Sequence, residues 1–276
     1  MKLTRGLRLP TRRAALGLSI GAIATVACGR NALAAGLTER ADLQAVFAEN
    51  SAAGTFVLYD VGADHLTLVN GDRAETRFVP ASTFKIANTI IALETGVVKD
   101  ENEIIPYGGR PQPFKQWEKD MSMREAIALS AVPIYQELAR RIGLERYREW
   151  LARLDFGNRQ TGTVVDTFWL DGPLEISAVE EARFVARLAQ QKLDASIHSQ
   201  SIARDIIRLE SRDGIVLYGK TGWRFSSIPN LGWWTGWVER NGKIAAFSLN
   251  IDMPAASDAP KRVAVGKAML AKLGIL

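Results

Sequence analysis

A serine and a lysine stand three residues apart at the start of an apolar segment. Ser82-Thr83-Phe84-Lys85 opens a stretch, continuing to Thr95, that would be apolar on almost every side of a helix. Residues three apart lie on one helix face within a turn, so the lysine can reach the hydroxyl. The unpaired N–H groups at the beginning of the helix favour an oxyanion next to Ser82. The spacing therefore predicts a serine hydroxyl that a buried lysine can activate.

Two other short motifs place polar side chains beside apolar segments. Ser130-Ala131-Val132 falls between two predicted helices, where a serine alone is typical of a cap or a turn. Lys220-Thr221-Gly222 follows the apolar strand Ile215–Tyr218 and presents a cation, a hydroxyl and a residue without a side chain at one strand edge. Such an edge suits a carboxylate ligand, although the tripeptide by itself is more often an ordinary loop.

The order S-x-x-K, S-x-V, K-T-G resembles the penicillin-recognising serine enzymes. Within that superfamily the chain is similar to class D β-lactamases, the oxacillinase type, because Val132 stands where class A enzymes and most penicillin-binding proteins have asparagine. Phe156-Gly157-Asn158 stands where class D has Y-G-N. Further stretches resemble the family, namely Leu93–Asp100, Lys115–Glu118, Phe168–Gly172, Ile176–Ala178, Gly232–Glu239 and Asn250–Ile251.

The resemblance implies a catalytic role for four residues. Ser82 would be the nucleophile, and Lys85 would react with carbon dioxide to become N6-carboxylysine, the general base. An apolar site disfavours the ammonium form of Lys85, which leaves a nucleophilic amine. Trp169 would donate its indole N–H to the carbamate, and Ser130 would relay a proton to the leaving nitrogen.

The resemblance also implies the ligands. The substrates would be β-lactam antibiotics of the penicillin type, with antibiotic resistance as the consequence of their hydrolysis. Lys220, Thr221 and Arg262 would hold the substrate carboxylate. Backbone N–H groups of Ser82 and Trp223 would form the oxyanion hole, and the remaining substrate-binding residues would be Val132 and Gly222. No metal and no cofactor besides carbon dioxide or bicarbonate is expected, and a homodimer is compatible with the resemblance.

Two alternatives use the same motifs. A β-lactam sensor or penicillin-binding domain would be acylated but would release the product slowly, and sensors are normally tethered behind transmembrane helices. A cell-wall transpeptidase or carboxypeptidase is disfavoured by Val132 and by the lack of a second domain. Phe156 lacks the hydroxyl of the usual tyrosine, so no essential proton transfer is expected there.

The hydrophobic patterns predict strands, a helical block, strands and a last helix. The first strands are expected at Gly54–Tyr59, Leu66–Val69 and Thr76–Val79, as a β-meander. The helices expected after Ser82–Thr95 are Ser122–Leu129, Pro133–Ile142, Leu144–Leu154 and Ala178–Lys192. The later strands are expected at Gly214–Tyr218, Gly232–Val238 and Lys243–Ile251, with Asn241-Gly242 closing a hairpin. The last helix would begin at Pro260 behind a cap at Asp258 and stop at Gly274.

This order predicts an α+β fold of the β-lactamase/transpeptidase type. Residues 35–74 and 207–276 would form an antiparallel sheet, flanked by N- and C-terminal helices. Residues 75–206 would form an inserted all-helical part. The active site would lie between the two.

The first 34 residues have the composition of an export signal. They hold six basic residues and no acidic one, then an apolar stretch over Ala14–Ala27 that is too short for a comfortable membrane span. We expect cleavage near Ala34 and a periplasmic or secreted protein. Arg12-Arg13 resembles a twin-arginine signal, and lipid attachment at Cys28 is the less favoured alternative.

The charges outside that segment exclude one class of partner. The whole chain has a formal net charge of +5, but residues 35–276 carry 29 basic and 30 acidic residues, which gives no reason to expect nucleic acid. Cys28 is the single cysteine, so thiol nucleophiles and disulfides are excluded from the mature part. The two histidines, His65 and His198, lie in no metal-ligand pattern.

Overall fold

The chain folds around a seven-stranded sheet in the order β1-β3-β2-β7-β6-β5-β4. The computed structural model describes residues 36–276, so the proposed signal segment and Cys28 lie outside the described residues. The strands are β1 Gly36–Glu39, β2 Gly54–Asp60, β3 His65–Val69, β4 Arg208–Arg212, β5 Ile215–Arg224, β6 Asn230–Arg240 and β7 Lys243–Met253. β2 pairs with β7, so the sheet joins the two ends of the described chain.

Nine α-helices surround this sheet within residues 36–276. They are α1 Gln44–Glu49, α2 Gly71–Glu75, α3 Lys85–Glu94, α4 Met123–Leu129, α5 Val132–Ile142, α6 Leu144–Arg153, α7 Ala178–Ala189, α8 Ile197–Ile206 and α9 Lys261–Lys272. Short 3₁₀ turns cover Ala41–Leu43, Ala81–Phe84, Lys115–Trp117 and Ala256–Asp258. None of the described helices is both long enough and apolar enough to cross a bilayer.

The predicted α+β fold is confirmed, with two corrections to the sheet. The sheet is mixed, because β1 pairs parallel to β3 while every other pair is antiparallel. The predicted strand Thr76–Val79 is wrong, since the chain enters helix α2 after Asn70 adopts a left-handed φ of 64°. Phe78 then makes only an isolated bridge to Ile176. The third strand of the expected meander is therefore replaced by β1.

The predicted helices are largely confirmed. The starts expected at Ser122 and Ala178 are correct, and each helix has a serine N-cap that accepts from a backbone N–H. The last helix begins after Pro260, and Asp258 lies in the preceding 3₁₀ turn instead of capping the helix. The short helices α1 and α8 and the edge strands β1 and β4 were not predicted, because their patterns are short or mostly exposed.

Two hydrophobic layers cover opposite faces of the sheet, following the alternation of side chains along each strand. On one face, Phe56 and Trp234 pack with Met269 of helix α9. On the other face, Val57 and Trp233, their chain neighbours, pack with Ala182 of helix α7. The helical insert has its own core around α3, whose buried residues include Ile86, Ile90 and Ile91. This core continues onto the sheet, because Tyr218, Trp237 and Ala246 belong to the same cluster and helix α7 packs on β2, β6 and β7.

Helix α9 lies close to the sheet because residue 266 has no side chain. A Cβ atom on Gly266 would lie 2.2 Å from Cε3 of Trp234, a side chain that is almost fully buried. The same helix carries Arg262, one of the predicted substrate-binding residues. The position of that guanidinium therefore depends on the close approach at Gly266.

Gly266→Ala should destabilise the protein although alanine is the better helix former. The helix propensity gain is about 1 kcal/mol, but overpacking against Trp234 typically costs about 1–3 kcal/mol and moves α9 outward. Urea denaturation should show a lower free energy of unfolding, whereas Ala264→Ser, at an exposed position on α9, should change it little. An increase in stability for Gly266→Ala would show that the approach is not as close as described.

Candidate active site

The nucleophile candidate lies in the 3₁₀ turn Ala81–Phe84, directly before helix α3. The sequence predicted that Ser82 would begin the helix itself, whereas the α-helix begins at Lys85. The lysine still reaches the hydroxyl, because Lys85 Nζ lies 2.8 Å from Ser82 Oγ and donates to it. Ser82 keeps 7% of its surface exposed, and Lys85 has none.

The electrostatics of Lys85 follow from its burial. Desolvation, and then the positive charge of Lys220, hold the pKa of the Lys85 amine well below its usual value of 10.5. No salt bridge among residues 36–276 involves Lys85. Burial therefore favours the neutral amine, which has a lone pair beside the serine hydroxyl.

An aromatic cluster keeps this part of the site dry. Phe84 packs against Tyr147, Phe156, Phe168 and Trp169, with ring centroids 5.4–6.1 Å apart. All five rings are almost fully buried. Phe156 fills its place in the cluster as a hydrocarbon ring.

The turn that carries Ser82 is fixed by hydrogen bonds from three sides. Trp233 Nε1 donates to the carbonyl of Val79 at 3.0 Å, and the N–H of Ala81 donates to the carbonyl of Trp169 at 2.9 Å. Thr83 Oγ1 lies 2.9 Å from the carbonyl oxygen of Pro80. A Cβ atom on Gly222 would lie 2.8 Å from the same oxygen, so only glycine lets strand β5 approach the turn this closely.

The second serine and the second lysine form a matching pair across the cleft. Ser130 ends helix α4 in a left-handed conformation with a φ of 57°, and its Oγ accepts from Lys220 Nζ at 3.0 Å. Lys220 also donates to the carbonyl of Thr221 at 2.9 Å. Burial, and then the charge of Arg262, lower the pKa of Lys220 to about 7. This pair can therefore exchange a proton near neutral pH.

The K-T-G motif lies inside strand β5, which extends beyond Tyr218 to Arg224 and pairs with β6. The prediction that the motif follows the strand was wrong, and the motif has the straight geometry of a paired strand. Arg262 of helix α9 donates from Nη1 to the carbonyl of Gly222 at 2.8 Å. Its guanidinium lies 5.4 Å from the ring centre of Trp223, and burial lowers its pKa to about 10.

Trp169 is buried with an indole N–H that has no hydrogen-bond partner among residues 36–276. An unpaired buried donor is unfavourable, so this N–H is suited to an acceptor that the free protein lacks. The loop that carries Trp169 is held by Asn158, whose Nδ2 donates to the carbonyl of Pro173 at 2.8 Å. Asn158 Oδ1 accepts from the N–H of Glu175 at 3.1 Å. The F-G-N motif thus fixes the loop.

These groups surround a cavity of about 460 Å³. Of the predicted site residues, those that line it are Ser82, Ser130, Val132, Thr221, Trp223 and Arg262. Lys85 and Lys220 lie behind the two serines and are bonded to them. Eight of the ten predicted site residues therefore lie at the cavity or are bonded to its wall, and Gly222 lies against the turn beside it. Trp169 does not line the cavity and packs against Phe84.

The sequence reasoning missed part of the cavity wall. The unpredicted lining residues include Gln112, Phe114, Gln136, Leu170, Asp171 and Phe225. Phe114 and Phe225 come from opposite sides of the cleft, and their ring centres lie 6.2 Å apart. Phe114 and Phe225 belong to segments without a periodic pattern. The one sequence signal for this part of the wall was the bulky Trp223-Arg224-Phe225 that follows the K-T-G glycine.

The comparisons with known proteins first define the class. Residues 54–271 match the penicillin binding protein transpeptidase domain family. That range includes both lysine–serine pairs and the K-T-G strand, so the domain that matches is the one that contains the cavity.

Full-length relatives then define the family. The chain is 37% identical to β-lactamase OXA-5 of Pseudomonas aeruginosa, over 89% of this chain and 93% of the relative. It is also 37% identical to β-lactamase OXA-48 of Klebsiella pneumoniae, over 92% and 96%. The crystal structure of the class D β-lactamase YbXI from Nostoc is 37% identical, with a TM-score of 0.83 over 86% of this chain and 100% of that one. The chain belongs to the class D β-lactamases, which confirms the resemblance.

The lowered pKa of Lys220 should be visible as a pH-dependent stability. The folded protein releases the Lys220 proton near pH 7, whereas the unfolded chain keeps it up to about pH 10.5, so stability is gained as the pH rises through this window. The free energy of unfolding of the wild type, minus that of Lys220→Met, should increase by about 2 kcal/mol between pH 7 and 9. Urea denaturation at both pH values measures this difference.

The internal control for this measurement is the range from pH 5 to 6. Lys220 is protonated there in both the folded and the unfolded states, so the difference between the two proteins should be constant. A difference that also stays constant between pH 7 and 9 would contradict the lowered pKa.

Proposed function

We propose that this protein hydrolyses the β-lactam ring of penicillin-type antibiotics through an acyl-enzyme on Ser82. The observation that carries the proposal is a hydroxyl at the wall of the cavity, 2.8 Å from a fully buried amine. Burial favours the neutral form of that amine, which can accept a proton. The β-lactamase relatives support the same reaction, since they match along almost their whole length.

Acylation uses the two serine–lysine pairs in turn. Lys85 takes the proton from Ser82 Oγ, which bonds to the lactam carbonyl carbon. Backbone N–H groups of Ser82 and Trp223 are the proposed donors to the oxyanion. When the tetrahedral intermediate collapses, the C–N bond breaks and Ser130 gives its proton to the ring nitrogen. Lys220, 3.0 Å from Ser130 Oγ, returns a proton to that hydroxyl.

Deacylation reverses the roles with water as the nucleophile. Acylation leaves the Ser82 proton on Lys85 and leaves Lys220 one proton short, so Lys85 first returns that proton to Lys220 by way of solvent. The base at Lys85 then takes a proton from the water, whose oxygen bonds to the acyl carbon, and gives it to Ser82 Oγ as that atom leaves. The product is the ring-opened acid and the free enzyme. Release of the acyl group at this step is what separates an enzyme from a β-lactam sensor.

The substrate carboxylate is proposed to bind at the basic end of the cavity. Thr221 and Arg262 line the wall there, and Lys220 lies behind Ser130. The Arg262 guanidinium is oriented by its bonds to the carbonyls of Gly222 and Ala259. A planar guanidinium can bind a carboxylate through two parallel hydrogen bonds, which fixes the substrate relative to Ser82.

We extend the proposal to a modification of Lys85. Its neutral amine can add carbon dioxide, and the resulting carboxylysine would supply an anionic base beside Ser82. The buried surroundings fit this group, because the Trp169 N–H has no other acceptor in the described part of the chain. Trp169 also lies against Phe84, the residue before Lys85, with ring centres 5.6 Å apart.

We propose that the protein works outside the cytoplasm and contributes to antibiotic resistance there. The basic and apolar layout of residues 1–34 supports export, with cleavage near Ala34 or lipid attachment at Cys28. A β-lactamase that meets its substrates before they reach their targets protects the cell, which is consistent with an exported enzyme.

Ser82→Ala should reduce kcat/KM for a chromogenic cephalosporin by about 10⁴-fold or more, because it removes the nucleophile. Lys85→Ala should reduce it by about 10²- to 10⁴-fold, because it removes the base. Lys85→Ala should also accumulate a covalent adduct after slow acylation. Steady-state kinetics and intact-protein mass spectrometry measure these effects.

The control is Lys192→Ala, at an exposed position outside the cavity, which should retain full activity. Appreciable turnover by Ser82→Ala would exclude Ser82 as the nucleophile. Stoichiometric acylation of the wild type without turnover would instead favour the sensor.

Removal of bicarbonate at acidic pH should lower the activity, and added bicarbonate should restore it. Trp169→Phe should need about tenfold or more bicarbonate for the same recovery, since a hydrogen bond to a charged group contributes about 1.5–3 kcal/mol. Nuclear magnetic resonance with ¹³C-bicarbonate detects the carbamate carbon directly, without relying on turnover.

Trp150→Phe is the matched control, because this tryptophan lies on helix α6 and does not line the cavity. It should leave the bicarbonate dependence unchanged. Indifference of the wild type to bicarbonate, together with no carbamate signal, would rule out the modification while leaving Ser82 as the nucleophile.

A further inference from the structure

A second buried titratable group lies next to the nucleophile, and the mechanism above does not use it. Glu181, on helix α7, has no exposed surface. Its Oε1 lies 2.6 Å from Oγ1 of Thr83, the residue that follows Ser82. Its Oε2 has no hydrogen-bond partner within residues 36–276. The carboxyl group therefore touches the turn that carries the nucleophile.

The hydrogen atoms at Thr83 indicate which form of the carboxyl group fits. The Thr83 hydroxyl has one hydrogen and two neighbouring oxygens, Pro80 O at 2.9 Å and Glu181 Oε1 at 2.6 Å. If Glu181 is ionised, both neighbours are acceptors and one contact has no hydrogen. If Glu181 is protonated, it donates to Thr83, and Thr83 donates to Pro80. The neutral acid alone satisfies both contacts.

No salt bridge among residues 36–276 involves Glu181. Arg77 is paired with Glu180, whose carboxylate is the neighbouring charge that acts on Glu181. Arg73 of helix α2 is bound to Asn250 and to Asp252 of strand β7.

The two lysines of the site are also engaged elsewhere. Lys85 Nζ donates to Ser82, and Lys220 Nζ donates to Ser130 and to the Thr221 carbonyl. Burial, and to a smaller extent Glu180, raise the pKa of Glu181 to about 7. The neutral form is thus favoured below neutral pH.

We propose that Glu181 is a positioning residue that acts as a neutral carboxylic acid: it donates to Thr83 and thereby fixes the turn that presents Ser82 to the cavity. The inference rests on the proposed function of Ser82. The turn that Glu181 contacts also packs against strand β5, which carries the K-T-G motif. The Cβ position of Gly222 is 2.8 Å from Pro80 O and 3.2 Å from Thr83 Cγ2, so a shift of the turn changes its spacing from the K-T-G strand.

Ionisation of Glu181 removes the donor in this chain. The single Thr83 hydrogen is then attracted to the carboxylate, and Pro80 O keeps only the Thr83 N–H, at 3.3 Å. The turn loses one of its restraints, and the Ser82 hydroxyl is held less well for attack. Acylation should therefore slow as the pH rises through about 7.

Single-turnover acylation with a chromogenic cephalosporin at pH 6 and pH 8.5 tests this role. Glu181→Leu, which cannot donate, should acylate about tenfold more slowly than the wild type at pH 6. Glu181→Gln retains a donor at every pH and should restore the rate to within about twofold. The acylation rate of Glu181→Gln should also decrease less than that of the wild type between pH 6 and 8.5.

Thr83→Val provides a second route to the same conclusion, because it removes the intermediate hydroxyl with little change of volume. It should slow acylation as much as Glu181→Leu, and the double variant should be no slower than either single variant. Additive losses, or a Glu181→Gln as slow as Glu181→Leu, would overturn the proposal. So would a Glu181→Leu that loses thermal stability while acylating at the normal rate.

The protonation state has a readout that does not depend on activity. Infrared difference spectra at pH 6 should contain the C=O band of a buried protonated carboxyl, which Glu181→Gln removes and the matched control Glu180→Gln retains. Absence of that band would show that Glu181 is ionised and refute the inference. If the band is present but the wild type acylates no β-lactam, the proposed function fails instead, and the two failures are distinguished.

Discussion

Proton transfer from the Ser82 hydroxyl to the Lys85 amine requires a lysine that has lost its charge, because an ammonium has no lone pair. A neutral amine is obtained here by full burial without a carboxylate partner, so the structure around it must be dry and closely packed. The apolar helix α3 and the aromatic cluster around Phe84 provide that packing. A carboxylate beside Lys85 would stabilise its charged form and would remove the lone pair that the serine needs.

The remaining cations of the site are arranged on the same principle. Burial lowers the pKa of Lys85 and of Lys220, and the positive charges of Lys220 and Arg262 then lower these two pKa values further. A cleft of this kind is incomplete without an anion, and it gains favourable interactions when a carboxylate binds. Burial and neighbouring positive charges therefore explain two properties together: the attraction of the cleft for a carboxylate, and a Lys220 proton that can be released near neutral pH.

The helices and the pairs of motifs could be predicted because each has a local signal. The apolar run after Ser82, the serine caps at Ser122 and Ser177, and the hairpin at Asn241-Gly242 depend on neighbouring residues only. Strand β1 could not be predicted, because four exposed residues have no pattern, and its parallel partner β3 is distant in sequence. The wrong strand at Thr76–Val79 has the same cause, since the turn at Asn70 and the contacts of Arg73 with β7 decide that conformation.

In the site, too, residues with a local sequence signal could be predicted and residues brought together from distant segments could not. The catalytic candidates form short motifs, but the wall formed by Gln112, Gln136 and Phe225 comes from three segments that only the folded chain brings together. Glu181 is a further example. As a charged residue type it would be expected in solvent, yet helix α7 packs against the sheet with the face that carries Glu181 and encloses it.

The pairing of β2 with β7 has a consequence for the order in which the protein can be assembled. Gly54 lies opposite Ile251, so almost two hundred residues must be synthesised between the two strands before the sheet can close. Ser82 and Lys85 belong to the early part of the chain, and the K-T-G strand and Arg262 belong to the late part. Contacts of such long range are slow to form. A nascent chain therefore has no complete cleft until its last helix has been made, and catalytic competence arrives late in folding and all at once.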